Sequence, residues 1–148
     1  MKVFIGADHN GFEYKSSLKQ ALEMAGHEVV DVGDTNLDPN DDFPKYASRL
    51  ANELLASKDS DVRGILICGS GQGVCMAANR FKGIRAALCW NINEARASRN
   101  DDDANVLCLS ARFSSLEEAG SIMATFLSTP FAGAPRFARR IQEMDQLS

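Results

Sequence analysis

No apolar run in these 148 residues approaches the ~20 that a membrane span requires. The opening Met1-Lys2-Val3-Phe4-Ile5-Gly6 turns polar too soon for a signal peptide and reads instead as a first strand. Histidine is scarce, with only His9 and His27, and the four cysteines (68, 75, 89 and 108) include no C-x-x-C pair. That inventory argues against a zinc site, and no metal is expected. Three of the cysteines fall in expected strands, which reads as reduced core thiols in a cytoplasmic protein. Basic charge is not in excess: the net charge is −4 and the pI about 5.1, which argues against a general nucleic-acid binder. Internal repeats and low-complexity segments are absent. What remains is 45% hydrophobic and 24% charged, the composition of an ordinary globular chain. One domain over 1–148 is expected.

Apolar strands alternate with amphipathic helices. Lys2–Ala7 reads as a strand and Phe12–Ala25 as a helix, with Leu18, Ala21, Leu22 and Ala25 at helical spacing and Gly26 as its stop. Glu28–Val32 is a second strand, and a polar loop from Gly33 to Pro44 carries four aspartates. Tyr46–Ser57 is an amphipathic helix. Ile65–Cys68 is a third strand, with a short helix behind it. Gly83–Cys89 is a fourth strand, Asn91–Asn100 a helix, and Asn105–Ser110 a fifth strand. Ser114 or Ser115 caps a helix that runs to Leu127. Pro130 to Pro135 then breaks the chain, and a last helix spans about 136–146. That helix either packs on the sheet or reaches a second subunit. The alternation predicts an α/β fold, a three-layer αβα sandwich around a five-stranded parallel sheet.

In such sheets ligands gather at the carboxyl ends of the strands. Those ends carry Asp8 and His9, then Asp34 to Asp42, then Cys68 to Gly71, then Trp90 and Asn91, then Ser110 and Arg112. The polar and reactive residues therefore fall on one rim. The most informative stretch is Gly64–Asn79, GILICGSGQGVCMAAN, a strand that runs into Gly69-Ser70-Gly71-Gln72-Gly73. Glycines at alternate positions let backbone amides approach and face an anion, and a helix start behind them adds favourable dipole. The spacing is not that of a dinucleotide fingerprint: the third glycine comes one residue early, and Cys89-Trp90 stand where a carboxylate is needed. Gly6-x4-Gly11 is followed by Phe12-Glu13 and is no P-loop. No cofactor is expected. Cys68 sits on the lip of the nest, an environment that favours a thiolate. As a hydrolytic nucleophile it would need a base, for which His9 is the one candidate on this rim. As a proton-abstracting base it would need only an acidic C–H and an oxyanion hole. Arg112 suits phosphate, and these features together suggest a sugar phosphate that enolises. Arg136, Arg139 and Arg140 would ordinarily be a solvated face.

At Gly6-x-Asp8-His9-x-Gly11-Phe12, Asp42-Phe43-Pro44-x-Tyr46-Ala47, Gly64–Gly71 with Ala77–Arg80, Gly83–Ala87, Asp103–Leu107 and Arg112, the sequence resembles the ribose-5-phosphate isomerase B / galactose-6-phosphate isomerase (RpiB/LacAB) family. The resemblance implies a Rossmann-like αβα sandwich. It also implies metal-independent aldose–ketose isomerisation of a phosphorylated sugar through a cis-enediol, in a homodimer or tetramer with shared sites. Carried over, Cys68 is the base and Ser70 shuttles protons between the oxygens. Gly69, Gly71 and Gly73 bind the enediolate, and Asp8 and Tyr46 line the sugar. His9, Arg112, Arg136 and Arg140 bind phosphate, some of them from a neighbouring subunit. Val74 stands where one branch of the family carries a glutamate base, which places this chain with the cysteine branch.

The chain departs from the family pattern at Asp101-Asp102, where His-Asn is usual and the histidine assists ring opening. Phe43 and Phe137 replace a common tyrosine and a phosphate-side histidine. Either Asp101 takes over ring opening as a catalytic group, or the substrate, such as a tetrose 4-phosphate, needs none. The altered position leads to the expectation that ribose 5-phosphate is turned over poorly and that another phosphosugar, such as a four-carbon one, is preferred. A hexose 6-phosphate isomerase, a non-catalytic phosphosugar sensor, a subunit requiring an unlike partner, and a flavodoxin-like electron carrier are the other readings the sequence leaves open.

Overall fold

Strand residues that alternate between two apolar faces generate a layered molecule. The computed structural model describes residues 1–147. Among them the elements are β1 (Lys2–Ala7), α1 (Phe12–Met24), β2 (Glu28–Asp31), α2 (Phe43–Ala56), β3 (Val62–Cys68), α3 (Gln72–Ala78), β4 (Ala86–Leu88), α4 (Ile92–Asp102), β5 (Val106–Ser110), α5 (Leu116–Ser128) and α6 (Pro135–Asp145). The five strands are all parallel, in the order β2-β1-β3-β5-β4.

Val3, Ile5, Ala7, Ile65, Ile67, Leu107 and Leu109 face one side and meet Leu18 and Leu22 of α1, Ala95 of α4 and Ile122, Met123 and Phe126 of α5. Phe4, Leu66, Cys68, Val106 and Cys108 face the other side and meet Leu50 and Leu54 of α2 and Val74 and Ala78 of α3. The expected αβα sandwich is therefore the observed one. Helix α2 lies close to the sheet because Gly64 has no side chain: a β-carbon there would stand 2.6 Å from Leu50 Cδ2.

Local signals set most boundaries. Helix α1 ends in a Schellman turn at Gly26 (φ +89°), with His27 N–H donating to Leu22 O. Helix α5 starts with a capping box between Ser115 and Glu118. The fourth strand is shorter than expected. Gly83 takes φ +95° and Arg85 N–H donates to Asn105 Oδ1 rather than to a ladder partner, so only Ala86–Leu88 pair with β5. The open side of β4 is covered by Asn79, whose side chain exchanges hydrogen bonds of 2.9 and 2.8 Å with Ala86. Helix α4 runs two residues further than expected, through Asp101 and Asp102, before Asp103 turns left-handed at φ +47°. Helix α6 packs beside α4 without burying a single residue.

Leu50→Ala would open a cavity where α2 meets Gly64, at a fully buried position. The expected cost is about 2–5 kcal/mol. In urea titration it should appear as a lower midpoint with an unchanged slope.

Candidate active site

The sheet order reverses between β1 and β3, and the crevice at their carboxyl ends is the switch point of this fold. Asp8 ends β1 in a tight turn, its Oδ1 accepting the amides of Asn10 (3.0 Å) and Gly11 (3.2 Å). The Asp8 N–H donates to Ile67 O, and a β-carbon on Gly11 would lie 2.7 Å from that same carbonyl oxygen. This glycine lets the two loops touch. Burial pushes the Asp8 carboxyl above the usual carboxylate range, partly offset by the amide of Gly11 and by His9.

Cys68, at the end of β3, is 5% exposed and faces α3. Gly71 takes φ +76° and turns its N–H onto Cys68 Sγ at 3.2 Å. A β-carbon at Gly71 would come within 2.6 Å of Leu88 Cδ1 and 3.0 Å of the Leu109 backbone, so the turn demands glycine. Of the three amides expected to form an oxyanion hole, that of Gly71 is thus turned to the sulfur. The Gln72 amide is taken by Ser70 Oγ at 3.3 Å. Helix α3 has only seven residues, so individual amides rather than a long helix dipole shape the loop. Phe43, at the start of α2, covers the loop, its ring within 2.8 Å of where a Gly73 β-carbon would sit.

The loop after β5 is stitched to the loop after β3. Ser110 Oγ donates to Gly69 O (2.8 Å), Ala111 N–H to Cys68 O and Arg112 N–H to Gly69 O (both 2.9 Å). The exposed Arg112 guanidinium lies against Gly69, where a β-carbon would meet Nη2 at 3.1 Å and Asn10 Nδ2 at 3.5 Å.

His9 stands on the same rim, its side chain one-third exposed. Both its backbone N–H (2.9 Å) and its Nδ1 (2.7 Å) meet Asp41 Oδ1. Atoms of Asp8, His9 and Asp41 lie within 4.8 Å of one another, with the imidazole as the basic member. The hydrogen bond to Asp41 raises the His9 pKa. Tyr46 is fully buried, its Oη 2.5 Å from Asp34 Oδ2 and 2.9 Å from Asp41 Oδ2. Burial and then Asp34 and Asp41 push its pKa upward. Its hydroxyl therefore serves the loop, leaving no free hydroxyl to line a sugar. Buried Lys15 fastens the same loop, Nζ donating to Asp34 O (2.8 Å) and Asp31 Oδ1 (3.1 Å). The roles of Asp34, Asp41 and Lys15 were not among the expectations; the run of aspartates on the rim was the available signal.

Asp8, His9, Cys68, Gly69, Ser70, Gly71, Gly73 and Arg112 are thus brought together, with Tyr46 behind them. Asp101, Arg136 and Arg140 are not. Helix α4 starts at the carboxyl end of β4 and runs back to the amino end of β5, so Asp101 sits at the opposite end of the sheet. There the Asn100 carbonyl accepts the N–H of Ala132, just ahead of α6, and Arg140 lies close enough to Asp102 to stabilise its charge. Burial, then Asp101, nevertheless raises the Asp102 carboxyl above its ordinary range. The large groove of about 820 Å³, which includes Arg80, Arg85, Ser98, Asp102 and Met144, belongs to this far end and not to the Cys68 rim.

Comparison with known proteins finds relatives along almost the whole chain. A family model described as Ribose/Galactose Isomerase matches residues 3–144. A probable ribose-5-phosphate isomerase B of Mycoplasma pneumoniae is 48% identical over 139 residues, 94% of this chain and 90% of that protein. The crystal structure of ribose-5-phosphate isomerase B from Mycoplasma genitalium with bound ribulose-5-phosphate superposes with a TM-score of 0.93 at 41% identity, covering 98% of this chain and 94% of that one. A Thermotoga maritima ribose 5-phosphate isomerase gives 0.92 at 42% identity, covering 99% and 98%.

Tyr46→Phe leaves Asp34 and Asp41 facing each other without the phenol proton between them. The expected loss is about 1–3 kcal/mol at neutral pH. The deficit should shrink in acid, as one carboxylate protonates and the repulsion is relieved, and urea unfolding at the two pH values measures it.

Proposed function

The chain belongs to the ribose/galactose isomerase family, and we propose that it interconverts an aldose and a ketose phosphate of the ribose 5-phosphate/ribulose 5-phosphate type. The observation that carries this reading is the placement of Cys68 Sγ, with the Gly71 N–H on it, at the β1/β3 switch point beside His9 and Arg112. Cys68 as thiolate takes the C2 proton of the open-chain aldose. The electron pair forms the C1–C2 double bond of a cis-enediolate, and the same proton returns to C1. A backbone N–H presented to the sulfur suits a thiolate acceptor. Amides of Gly69 and Gly73 face the developing oxyanion, and Ser70 carries protons between the two oxygens. Arg112 and His9 hold the phosphate, and the buried Asp8 borders the sugar.

The far-end residues enter through a second copy of the chain. Asp101, Arg136 and Arg140 lie together on one chain yet away from its Cys68, as expected when two copies lend each other one wall of each site. Exposed apolar side chains support such pairing, Trp90 at 64% and Phe113 at 72%, as does the unburied α6. Four free cysteines accord with a cytoplasmic enzyme, and no described helix is long and apolar enough to cross a membrane.

Cys68→Ala should abolish turnover, by at least about a thousandfold, without unfolding the chain. Retained activity would move the base elsewhere. Ribose 5-phosphate should be turned over faster than erythrose 4-phosphate or allose 6-phosphate in side-by-side assays. A preference for the tetrose would mean that Asp101 marks a substrate without a ring to open. Mixing Cys68→Ala with an Arg136→Ala/Arg140→Ala double variant should restore about a quarter of wild-type activity after statistical subunit exchange. Absence of any rescue would put the phosphate within a single chain.

A further inference from the structure

The loop from Gly33 to Asp42 ends in a turn, Asp38-Pro39-Asn40-Asp41, in which Asp38 accepts the amides of Asn40 and Asp41. The turn delivers the Asp41 carboxylate, 5% exposed, beneath His9. One oxygen of Asp41 meets the His9 backbone N–H and ring Nδ1, and the other meets Tyr46 Oη. A phenol has a single proton, and Asp34 lies closer to Tyr46 Oη than Asp41 does. With that proton directed to Asp34, the donors left for Asp41 are the backbone N–H and the Nδ1–H of His9. The imidazole orientation follows: Nδ1–H points inward and Nε2 points out to the rim.

We propose that Asp41 is the positioning residue of the phosphate site, fixing the His9 ring with Nδ1–H inward and Nε2 outward and favouring the charged form that pairs with the phosphate dianion. The inference rests on the reading of His9 as a phosphate ligand. Tyr46 and Asp34 back the carboxylate, and Lys15, 2% exposed, ties their loop to α1. The charged groups around His9 are Asp41 from the β2–α2 loop and Asp8 from its own turn, both of which favour its protonated form. The cation of this rim, Arg112, stands across Gly69 beside Asn10 and would share the phosphate with it. Without Asp41 the imidazole could rotate, choose either tautomer and lose its charge at a lower pH.

The chain has only two histidines, so His27→Gln leaves His9 as the sole imidazole signal. In that background nitrogen NMR at pH 7 should show Nδ1 protonated and hydrogen-bonded. A neutral ring protonated only at Nε2 would overturn the proposal without any further variant. Asp41→Asn should lower the His9 midpoint by about one pH unit or more. It should also weaken inorganic phosphate binding and raise KM about tenfold, with kcat within about threefold of wild type. The pH at which KM rises should move to lower values by the same interval as the NMR midpoint, and Asp41→Glu should restore part of it. A merely structural role would lower stability while leaving the midpoint and the pH profile in place, and that result refutes the assignment. The NMR and phosphate measurements need no turnover, so an inactive wild type would fail the isomerase reading alone. An active wild type with an unmoved His9 midpoint would fail this inference alone.

Discussion

The close approach of Gly11 to the Ile67 carbonyl is the constraint on which the rest of the site depends. A β-carbon at Gly11 would lie 2.7 Å from that oxygen, so any other residue would push the first loop away from the third strand. With glycine there, Asp8 N–H reaches Ile67 O, and Asn10 stands beside Gly69. The loop after β5 then closes the other flank through three hydrogen bonds to Cys68 and Gly69. Cys68 is thus held by backbone on both sides, and the groups that act on a ligand stand on rigid strand ends.

Charge is distributed in keeping with this geometry. The acidic loop after β2 is not a solvated tether. Lys15, Tyr46 and His9 each engage its carboxylates or carbonyls, and those contacts turn a run of aspartates into a scaffold. At the opposite end of the sheet, Arg99 is almost fully buried, bridging Asp103, the Ala104 carbonyl and the Thr129 carbonyl. That bridge fixes the end of α4 and the chain leading to α6. The arginines of α6 are thereby presented outward from a firm base, while its own surface stays unburied.

The elements were legible in the sequence where burial dictates pattern. Val3-Phe4-Ile5 and Ile65-Leu66-Ile67 are buried on both faces and could be read as strands directly. The fourth strand was overestimated because Gly83-Ile84-Arg85 is apolar enough, yet Gly83 adopts φ +95° and Asn105 takes the Arg85 amide. The end of α4 was underestimated because Asn100-Asp101-Asp102 looks like a loop. It stays helical because Arg99 binds Asp103 at 2.7 Å and Asp103 accepts the left-handed cap.

The sequence by itself determined the parallel sheet, the two-sided core and the gathering of Asp8, His9, Cys68, the glycines and Arg112 on one rim. Each follows from periodicity and from the rule that strand ends carry function. Only the tertiary structure decided which groups bond. His9 pairs with a carboxylate 32 residues away, the phenol of Tyr46 turns to the loop and not to a ligand, and the Gly71 amide faces sulfur. It also decided that Asp101, Arg136 and Arg140 sit at the far end of the same chain. The physical reason is range. Apolar patterning acts through burial, which tolerates shifts of an ångström. A hydrogen bond needs its donor and acceptor placed within a few tenths of one, and that placement exists only after the layers have packed.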